Sequence, residues 1–220
     1  MSAVTGAVQD YAKAIYSLSA RENEPVSTSA IAERLGVSAA SASAMVKRLA
    51  GQGIVSHEPY RGVELTRKGR EIALEVLRHH RLLETYLAEQ LDVPWDRVHE
   101  EAEKLEHVIS DDLIARIAAK LDDPTHDPHG DPIPAADLSI DDSPTRSLSA
   151  MEAGEEGAFV RVSDSDPEML RYLMERGIAI GDAVEIVERQ PFDGPLTVRI
   201  GTATHVLGGE LARAMRVSLG

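Results

Sequence analysis

The sequence predicts a mainly α-helical chain that ends in a small β domain. Apolar residues recur at helical spacing through the first 120 residues. A stretch rich in Asp, Pro and Ser follows at 122–150, and short segments of alternating apolar residues fill the remainder. The 220 residues are enough for one large domain or for two to three small ones.

Composition and charge limit the chemistry that this chain can perform. It contains no cysteine, which excludes disulfides, thiolate zinc sites and cysteine nucleophiles, so any bound metal must use oxygen and nitrogen ligands. The net charge is −14, yet residues 1–70 carry nine Lys and Arg against six Asp and Glu. A basic N-terminal segment on an acidic remainder allows contact with nucleic acid. Because no leader peptide and no membrane-length apolar run is found, we expect a cytoplasmic protein without membrane contact.

The first 70 residues predict a DNA-binding domain. An amphipathic helix is expected over 7–20. Within 26–38, a Ser/Thr cap opens a short helix that Gly36 closes, and a second short helix follows over 39–52. Strands at 54–57 and 62–66 then form a hairpin, so the order matches a winged helix-turn-helix. A helix pair and hairpin that serve only as scaffold are the alternative.

Five side chains of this domain are candidates for DNA contact. We expect Ser38, Ser41 and Ser43, at the start of the second short helix, to contact bases or phosphates. Lys47 on the same helix and Arg61 at the hairpin tip would hold the phosphate backbone.

Three further helices are predicted over 67–90, 98–108 and 111–121, and they suggest a helical domain that pairs with a second copy. Residues three and four apart share a helix face. The spacing therefore places two imidazoles and two carboxylates on one stripe of the middle helix: His99, Glu103, Glu106 and His107. Its apolar residues Leu105, Val108 and Ile109 lie nearer the other side, which we expect to be the packed side.

Other possible ligands are ambiguous when they are considered alone. His80 and Glu84 lie one turn apart, which suits a solvated pair as well as a metal site. Asp10 in the first turn of the first helix could simply complement the helix dipole. His126 and His129 lie in a proline-flanked loop and are not expected to bind metal.

The segment after residue 150 predicts a small β-barrel with one helix at 167–176. Five strands are expected, at 158–162, 183–187, 196–200, 204–207 and 215–219. Neither a phosphate-binding glycine loop nor a Gly-x-Ser-x-Gly elbow occurs, which removes the common nucleotide and hydrolase signatures.

Over essentially its whole length, the chain resembles the diphtheria toxin repressor family of metal-dependent transcriptional regulators. The resemblance is carried by six motifs: Asp10-Tyr11 with Ile15–Leu18, Ile31–Leu35, Leu65-Thr66 with Gly69, His80–Glu84, Val98–Asp111, and His129–Pro134. It implies a winged helix-turn-helix domain over 1–72 and a helical dimerisation and metal-binding domain over 73–136. A linker over 137–150 and an SH3-like β-barrel over 151–220 would follow. The expected partners are a second copy of the chain and a palindromic double-stranded operator, with no small organic ligand.

The resemblance also assigns two metal sites, replacing the local interpretations of Asp10 and of His80 with Glu84. A regulatory site is implied at Asp10, Glu103, Glu106 and His107. An ancillary site is implied at His80, Glu84 and His99, where the barrel could add Asp164, whereas Arg161 beside it cannot bind metal.

Two positions of the regulatory site point to manganese. The iron-sensing branch of the family has methionine at the position of Asp10 and cysteine at that of Glu103, and the manganese-sensing branch has acids at both. Hard oxygen ligands suit Mn(II). We expect two Mn(II) ions per subunit and control of manganese homeostasis genes, with Fe(II) or another divalent metal as the alternative. Short manganese regulators have a second bridging acid where this chain has Lys13, so their coupled two-metal cluster is not expected.

A metallohydrolase is the alternative from a different class, because Glu103, Glu106 and His107 faintly resemble a helical protease motif. Catalysis needs an open coordination position with a base beside the bound water. The ligands here are numerous enough to close the shell, and the helix-turn-helix would stay unexplained. We therefore do not expect an enzyme.

Overall fold

The computed structural model describes residues 5–22, 25–58, 61–141, 143–192 and 194–219. The chain divides into two compact units. The first contains Met1–His80, Lys104–Asp111 and Pro134–Ser139, and the second contains Arg81–Glu103, Asp112–Ile133 and Ile140–Gly220.

The first unit is built on three helices and a two-stranded wing. Its elements are α1 (Gly6–Glu22), α2 (Thr28–Arg34), α3 (Ala39–Gly51), β1 (Val55–Glu58), β2 (Gly62–Leu65) and the first part of α4 (Arg67–Leu91). Ile15, Ile31 and Leu49 are fully buried in its core, as their helical spacing predicts. The winged helix-turn-helix is thereby confirmed, although the tip residues 59 and 60 lie outside the described residues.

The hydrogen bonds of Thr66 and the close packing at Gly69 fix the wing against the helices. The Thr66 hydroxyl donates to the Gly53 carbonyl at 2.7 Å and accepts from the Gly69 amide at 3.2 Å, so it caps the start of α4. A Cβ at Gly69 would collide with the Ile54 carbonyl oxygen. Only glycine allows the helix to begin this close to the strand.

The second unit contains the rest of α4 and the C-terminal β domain. The elements of this domain are β3 (Arg146–Ser147), β4 (Glu156–Val162), α7 (Pro167–Glu175), β5 (Ala183–Arg189), β6 (Leu196–Ile200), β7 (Ala203–Leu207), α8 (Gly209–Ala214) and β8 (Met215–Ser218). The strands form a six-stranded antiparallel sheet in the order β3-β8-β4-β5-β6-β7. Phe159, Leu173 and Met215 are fully buried in its core, and Trp95 packs against that core. This confirms the predicted small β domain.

The middle helices differ from the prediction in a way that matters for the site. Helix α5 spans Val98–Leu105, and α6 spans Asp111–Lys120. The amides of Val108 and Ile109 both bond to the Leu105 carbonyl at 3.1 Å, and the chain turns there. The predicted helix to residue 108 is therefore wrong, and Glu106 and His107 lie in a turn rather than on a helical stripe.

The predicted packing side of that helix is wrong as well. Leu105 is 39% exposed and Val108 is 77% exposed, whereas Val98 and Ala102 are fully buried. The helix packs through its small and β-branched side chains instead. The sequence interpretation also missed α8 and the short strand β3, because neither has a long periodic pattern. No helix in the described parts of the chain is long and apolar enough to cross a membrane.

Candidate metal centre

In the first unit, helix α1 and the turn after α5 bring three potential metal ligands together. Asp10 Oδ1 lies 2.7 Å from His107 Nε2, and Glu106 Oε1 lies 3.5 Å from the same nitrogen. One ligand atom from each of these residues lies within 4.8 Å of the others. Three of the four residues predicted for the regulatory site are thus adjacent in the structure.

The orientation of His107 suits a metal ligand. Its Nδ1 lies 2.9 Å from the Gln9 side-chain oxygen, which can only accept, so Nδ1 carries the hydrogen. The other ring nitrogen, Nε2, points towards Asp10 and Glu106. Gly6 allows this placement, because a Cβ there would come within 3.3 Å of the His107 ring. Metal-bound histidines are commonly oriented by such a second hydrogen bond.

Glu106 is held ionised although it is 1% exposed. Burial alone would raise the pKa of its carboxyl group, but His80 and Lys13 together lower that pKa below its usual value. Glu106 Oε2 is hydrogen-bonded to His80 Nδ1, and Oε1 lies 2.6 Å from Lys13 Nζ. The carboxylate is therefore charged and fixed in position.

These donors fit a divalent transition metal. Two carboxylates and an imidazole nitrogen form the mixed oxygen and nitrogen set that Mn(II) and Fe(II) accept. Glu103, the fourth predicted ligand, belongs to the second unit, where its Oε1 lies 3.8 Å from His99 Nε2. Its place in the regulatory site stays a prediction.

The second unit contains a separate cluster around Glu84, which is fully buried on α4. His99 Nδ1 lies 2.8 Å from Asp164 Oδ2 and 3.2 Å from Glu84 Oε1. Burial lowers the pKa of His99, but hydrogen bonds to Asp164 and Glu84 more than offset this and raise it to about 10. For Asp164, burial acts to raise the pKa of the carboxyl group, but the hydrogen bond from His99 lowers that pKa to about 2. The predicted contribution of Asp164 beside Glu84 and His99 thus has a geometric basis, whereas the role of His80 in this site stays a prediction.

His129 is a candidate ligand that the sequence interpretation set aside. It is fully buried, and its ring stacks on Trp95 with centroids 5.6 Å apart. Its Nε2 donates to the Trp95 carbonyl oxygen at 3.1 Å, so Nδ1 faces Glu84 Oε2 at 3.8 Å. Glu84, Asp127 and His129 each offer a ligand atom within 4.8 Å of the others.

The loop that carries His129 is fixed by its own backbone bonds. Asp127 Oδ1 accepts from the amides of His129 at 2.8 Å and Asp131 at 2.9 Å. Gly130 has a φ of +84°, and a Cβ there would collide with the Val160 carbonyl oxygen. The loop consequently lies directly on β4. An Asp two residues before His-Gly is a sequence signal for this turn that could have indicated burial.

The side chains predicted to contact DNA lie on α3 and the wing. Ser38 caps α3 by accepting from the Ser41 amide at 3.1 Å, so it has a structural role in addition to any contact with DNA. Its hydroxyl also lies 2.9 Å from the Ser41 hydroxyl. Ser43, Lys47 and Arg61 are exposed. These positions are compatible with the predicted contacts.

Comparison with protein families identifies the class. The family model described as the N-terminal DNA-binding domain of iron-dependent repressors matches residues 4–63. The model described as their metal-binding and dimerisation domain matches residues 66–135, and the FeoA domain model matches residues 146–219. The combination defines a metal-dependent transcriptional repressor rather than an enzyme.

Individual relatives agree with this class. The chain is 32% identical to the iron-dependent repressor IdeR of Mycobacterium tuberculosis over 99% of both chains. It is 34% identical to the diphtheria toxin repressor of Corynebacterium efficiens, covering 94% of this chain and 93% of that protein. The chain belongs to the diphtheria toxin repressor family.

Solved structures with similar folds include manganese-dependent proteins. One, described as a manganese-dependent transcriptional repressor in complex with manganese, is 46% identical, with a TM-score of 0.91 over 97% of this chain and 100% of that chain. The manganese regulator SloR is 32% identical, with a TM-score of 0.82 over 97% of this chain and 98% of that one.

Proposed function

We propose that this chain is a Mn(II)-dependent repressor of manganese homeostasis genes, with the metal as co-repressor. The observation that carries the proposal is the position of Asp10, on a helix of the DNA-binding domain, 2.7 Å from His107. In sequence the two residues are far apart, so they can share an ion only in the folded state. Ligand binding that requires the folded arrangement stabilises that arrangement.

The residues around this ion would control the DNA-binding domain through charge. Asp10 and Glu106 present two carboxylates to one small region, and the repulsion that Lys13 leaves between them disfavours the assembled state. A bound divalent ion would supply the positive charge that offsets this repulsion. Asp10 would then hold α1 to the turn at Glu106 and His107, which is the link that repression requires.

The proposed DNA contacts follow from α3 and the wing. Ser38, Ser41 and Ser43 would face base edges or phosphates from the start of α3, and Lys47 and Arg61 would contact phosphates. A homodimer would place two recognition helices on successive turns of a palindromic operator, roughly 34–36 Å apart. The domain boundaries at residues 72, 136 and 150 belong to this proposal.

We place a second ion in the cluster around Glu84. Its ligands would come from Glu84, His99 and Asp164, with Asp127 and His129 added on the evidence of their buried positions. His80 and Glu103 are retained as proposed ligands of the ancillary and regulatory sites. Both sites would then be formed by carboxylates and imidazoles alone.

Manganese is favoured by the oxygen-rich ligands and by the resemblance to a manganese-dependent repressor structure at 46% identity. An Fe(II)-dependent repressor is the second candidate, because the named relatives include iron-dependent repressors at 32% identity. Operator affinity at matched free Mn(II) and Fe(II) concentrations, measured without oxygen, separates the two. Tighter operator binding with Fe(II) would contradict the manganese proposal.

The central test is Asp10→Ala in the full chain. The variant should fold normally but lose Mn(II)-dependent operator binding in a gel shift, because α1 no longer contributes a ligand. Glu210→Ala, an exposed acid on α8, is the matched control and should behave as the wild type. Unchanged Mn(II)-dependent binding by Asp10→Ala would refute the assignment.

A further inference from the structure

Lys13 forms an ion pair inside the proposed regulatory site. It lies on α1 close to one turn after Asp10, and its Nζ is 2.6 Å from Glu106 Oε1. The Lys13 side chain is 15% exposed, and that of Glu106 is fully buried. This pair joins residues 93 apart in sequence, unlike the exposed pairs that contribute little to protein stability.

The lysine occupies one particular oxygen of Glu106. Oε2 is hydrogen-bonded to His80, whereas Oε1, which Lys13 contacts, is the oxygen 3.5 Å from His107 Nε2. An ion bound between Asp10, Glu106 and His107 would approach Glu106 from the side of Oε1. The ammonium group and the metal would therefore compete for the same carboxylate oxygen.

We infer that Lys13 is a built-in cation that neutralises Glu106 in the metal-free protein and thereby weakens metal binding at this site. The inference rests on the proposed function of Asp10, Glu106 and His107 as an ion site. A buried carboxylate without a cation is costly, so Lys13 stabilises the metal-free fold. A divalent ion must then displace or tolerate a positive charge, which raises the metal concentration needed for occupancy.

A purely structural ion pair predicts a different result. In that case, loss of Lys13 would destabilise the metal-free and the Mn(II)-loaded protein equally. A competing cation instead predicts that the loss is confined to the metal-free protein, because bound metal supplies the missing positive charge. The shift in melting temperature caused by Mn(II) separates the two interpretations.

The experiment uses the full chain with Lys13→Met, and with Lys13→Gln in case the first variant does not fold. Mn(II) affinity is measured by calorimetric titration, following the binding step that Asp10→Ala removes. We expect that step to tighten by about tenfold in either variant. The Mn(II)-induced rise in melting temperature should exceed that of the wild type. Lys13→Arg should stay close to the wild type, and Lys120→Met, which removes an exposed lysine from α6, is the matched control.

Failure of this inference can be distinguished from failure of the proposed function. If wild-type protein shows no Mn(II) step that Asp10→Ala removes, the proposed regulatory site is wrong. If that step exists but its affinity is unchanged in Lys13→Met and Lys13→Gln, Lys13 does not compete with the metal. Equal destabilisation with and without Mn(II) would likewise overturn the inference.

Discussion

His129 and Glu84 face each other in the interior of the second unit, with His129 Nδ1 3.8 Å from Glu84 Oε2. The other ring nitrogen of His129 donates to the Trp95 carbonyl, so the orientation of the imidazole is set from the side opposite Glu84. At this distance the two atoms are not hydrogen-bonded, and no described residue forms a hydrogen bond with His129 Nδ1. This geometry supports the proposal that the two side chains bind one ion.

Replacing His129 should therefore impair the second ion specifically. We expect His129→Ala to weaken Mn(II) binding at the Glu84 cluster by at least about tenfold, the loss that even outer-sphere partners of metal ligands produce. The binding step that depends on Asp10 should keep its affinity. Calorimetric titration with Mn(II) resolves the two steps, and a loss of both together would mean that His129 has only a structural role. His126→Ala, in the same loop but exposed, is the control.

Metal binding at the second cluster should release protons. Burial lowers the pKa values of His99 and His129, but their carboxylate neighbours raise them to about 10 and about 9, so both rings are protonated at pH 7.5 without metal. A ligating imidazole nitrogen must lose its proton. We expect release of about one to two protons per ion and affinity that rises from pH 7 to pH 9. Titrations in buffers of different ionisation enthalpy measure the number, and a value near zero would contradict the ligand assignment.

The same pKa values predict how the metal-free fold responds to pH. Protonated His99 and His129 are paired with carboxylates, so their folded-state pKa values lie above the unfolded value of about 6.5. Their stabilising contribution is complete below pH 6.5 and is lost as pH rises through about 9 and then about 10. Melting temperatures of metal-free protein across this range provide the check.

Glu103 provides a test of metal preference. Glu103→Cys replaces a hard carboxylate with a soft thiolate at a proposed ligand position, which favours metals such as Zn(II) and Fe(II) over Mn(II). The ratio of operator affinities with Fe(II) and Mn(II) should shift towards Fe(II) relative to the wild type. Glu101→Cys, two residues away on α5, is the comparison variant. An unchanged ratio in Glu103→Cys would remove Glu103 from the regulatory site.

Variants of Ser38 and Ser43 should distinguish an effect on protein stability from an effect on DNA binding. Ser38→Ala removes the cap of α3 and should cost about 1 kcal/mol of folding free energy. For a chain of this size, that corresponds to a fall of ~2–4 °C in melting temperature. Ser43→Ala should leave stability nearly unchanged, since this exposed side chain is not the cap, but it should weaken operator binding. Thermal unfolding and gel shifts of both variants test this, and normal operator binding by Ser43→Ala would exclude that residue as a contact.

Most helices and strands could be predicted because each depends on local periodicity. The long helix α4 is expected over 67–90 and spans Arg67–Leu91, since its apolar residues recur at helical spacing from Ile72 to Leu87. The end of α5 could not be predicted in this way. Its apolar pattern continues past Leu105, and only the shared bonds to the Leu105 carbonyl end the helix.

The candidate metal sites could not be predicted from local periodicity, because tertiary contacts bring their residues together. Asp10 and His107 meet through tertiary folding, so spacing alone left Asp10 as a helix-dipole residue, and only the family resemblance joined the two. His129 was set aside because prolines and acids around it indicate a surface loop. Its burial follows from the turn at Asp127 and from Gly130, whose missing side chain admits the β4 backbone. Contacts between segments that are distant in sequence cannot be predicted from the residues of one segment alone.

Both ligand clusters contain only carboxylates and imidazoles, in a chain without cysteine. Oxidants such as peroxides convert ligating thiolates to sulfenic and sulfinic acids, which changes their affinity for metal. No ligand proposed here can undergo that conversion. The proposed metal ligands would therefore not lose affinity for the ion through thiol oxidation under oxidative stress.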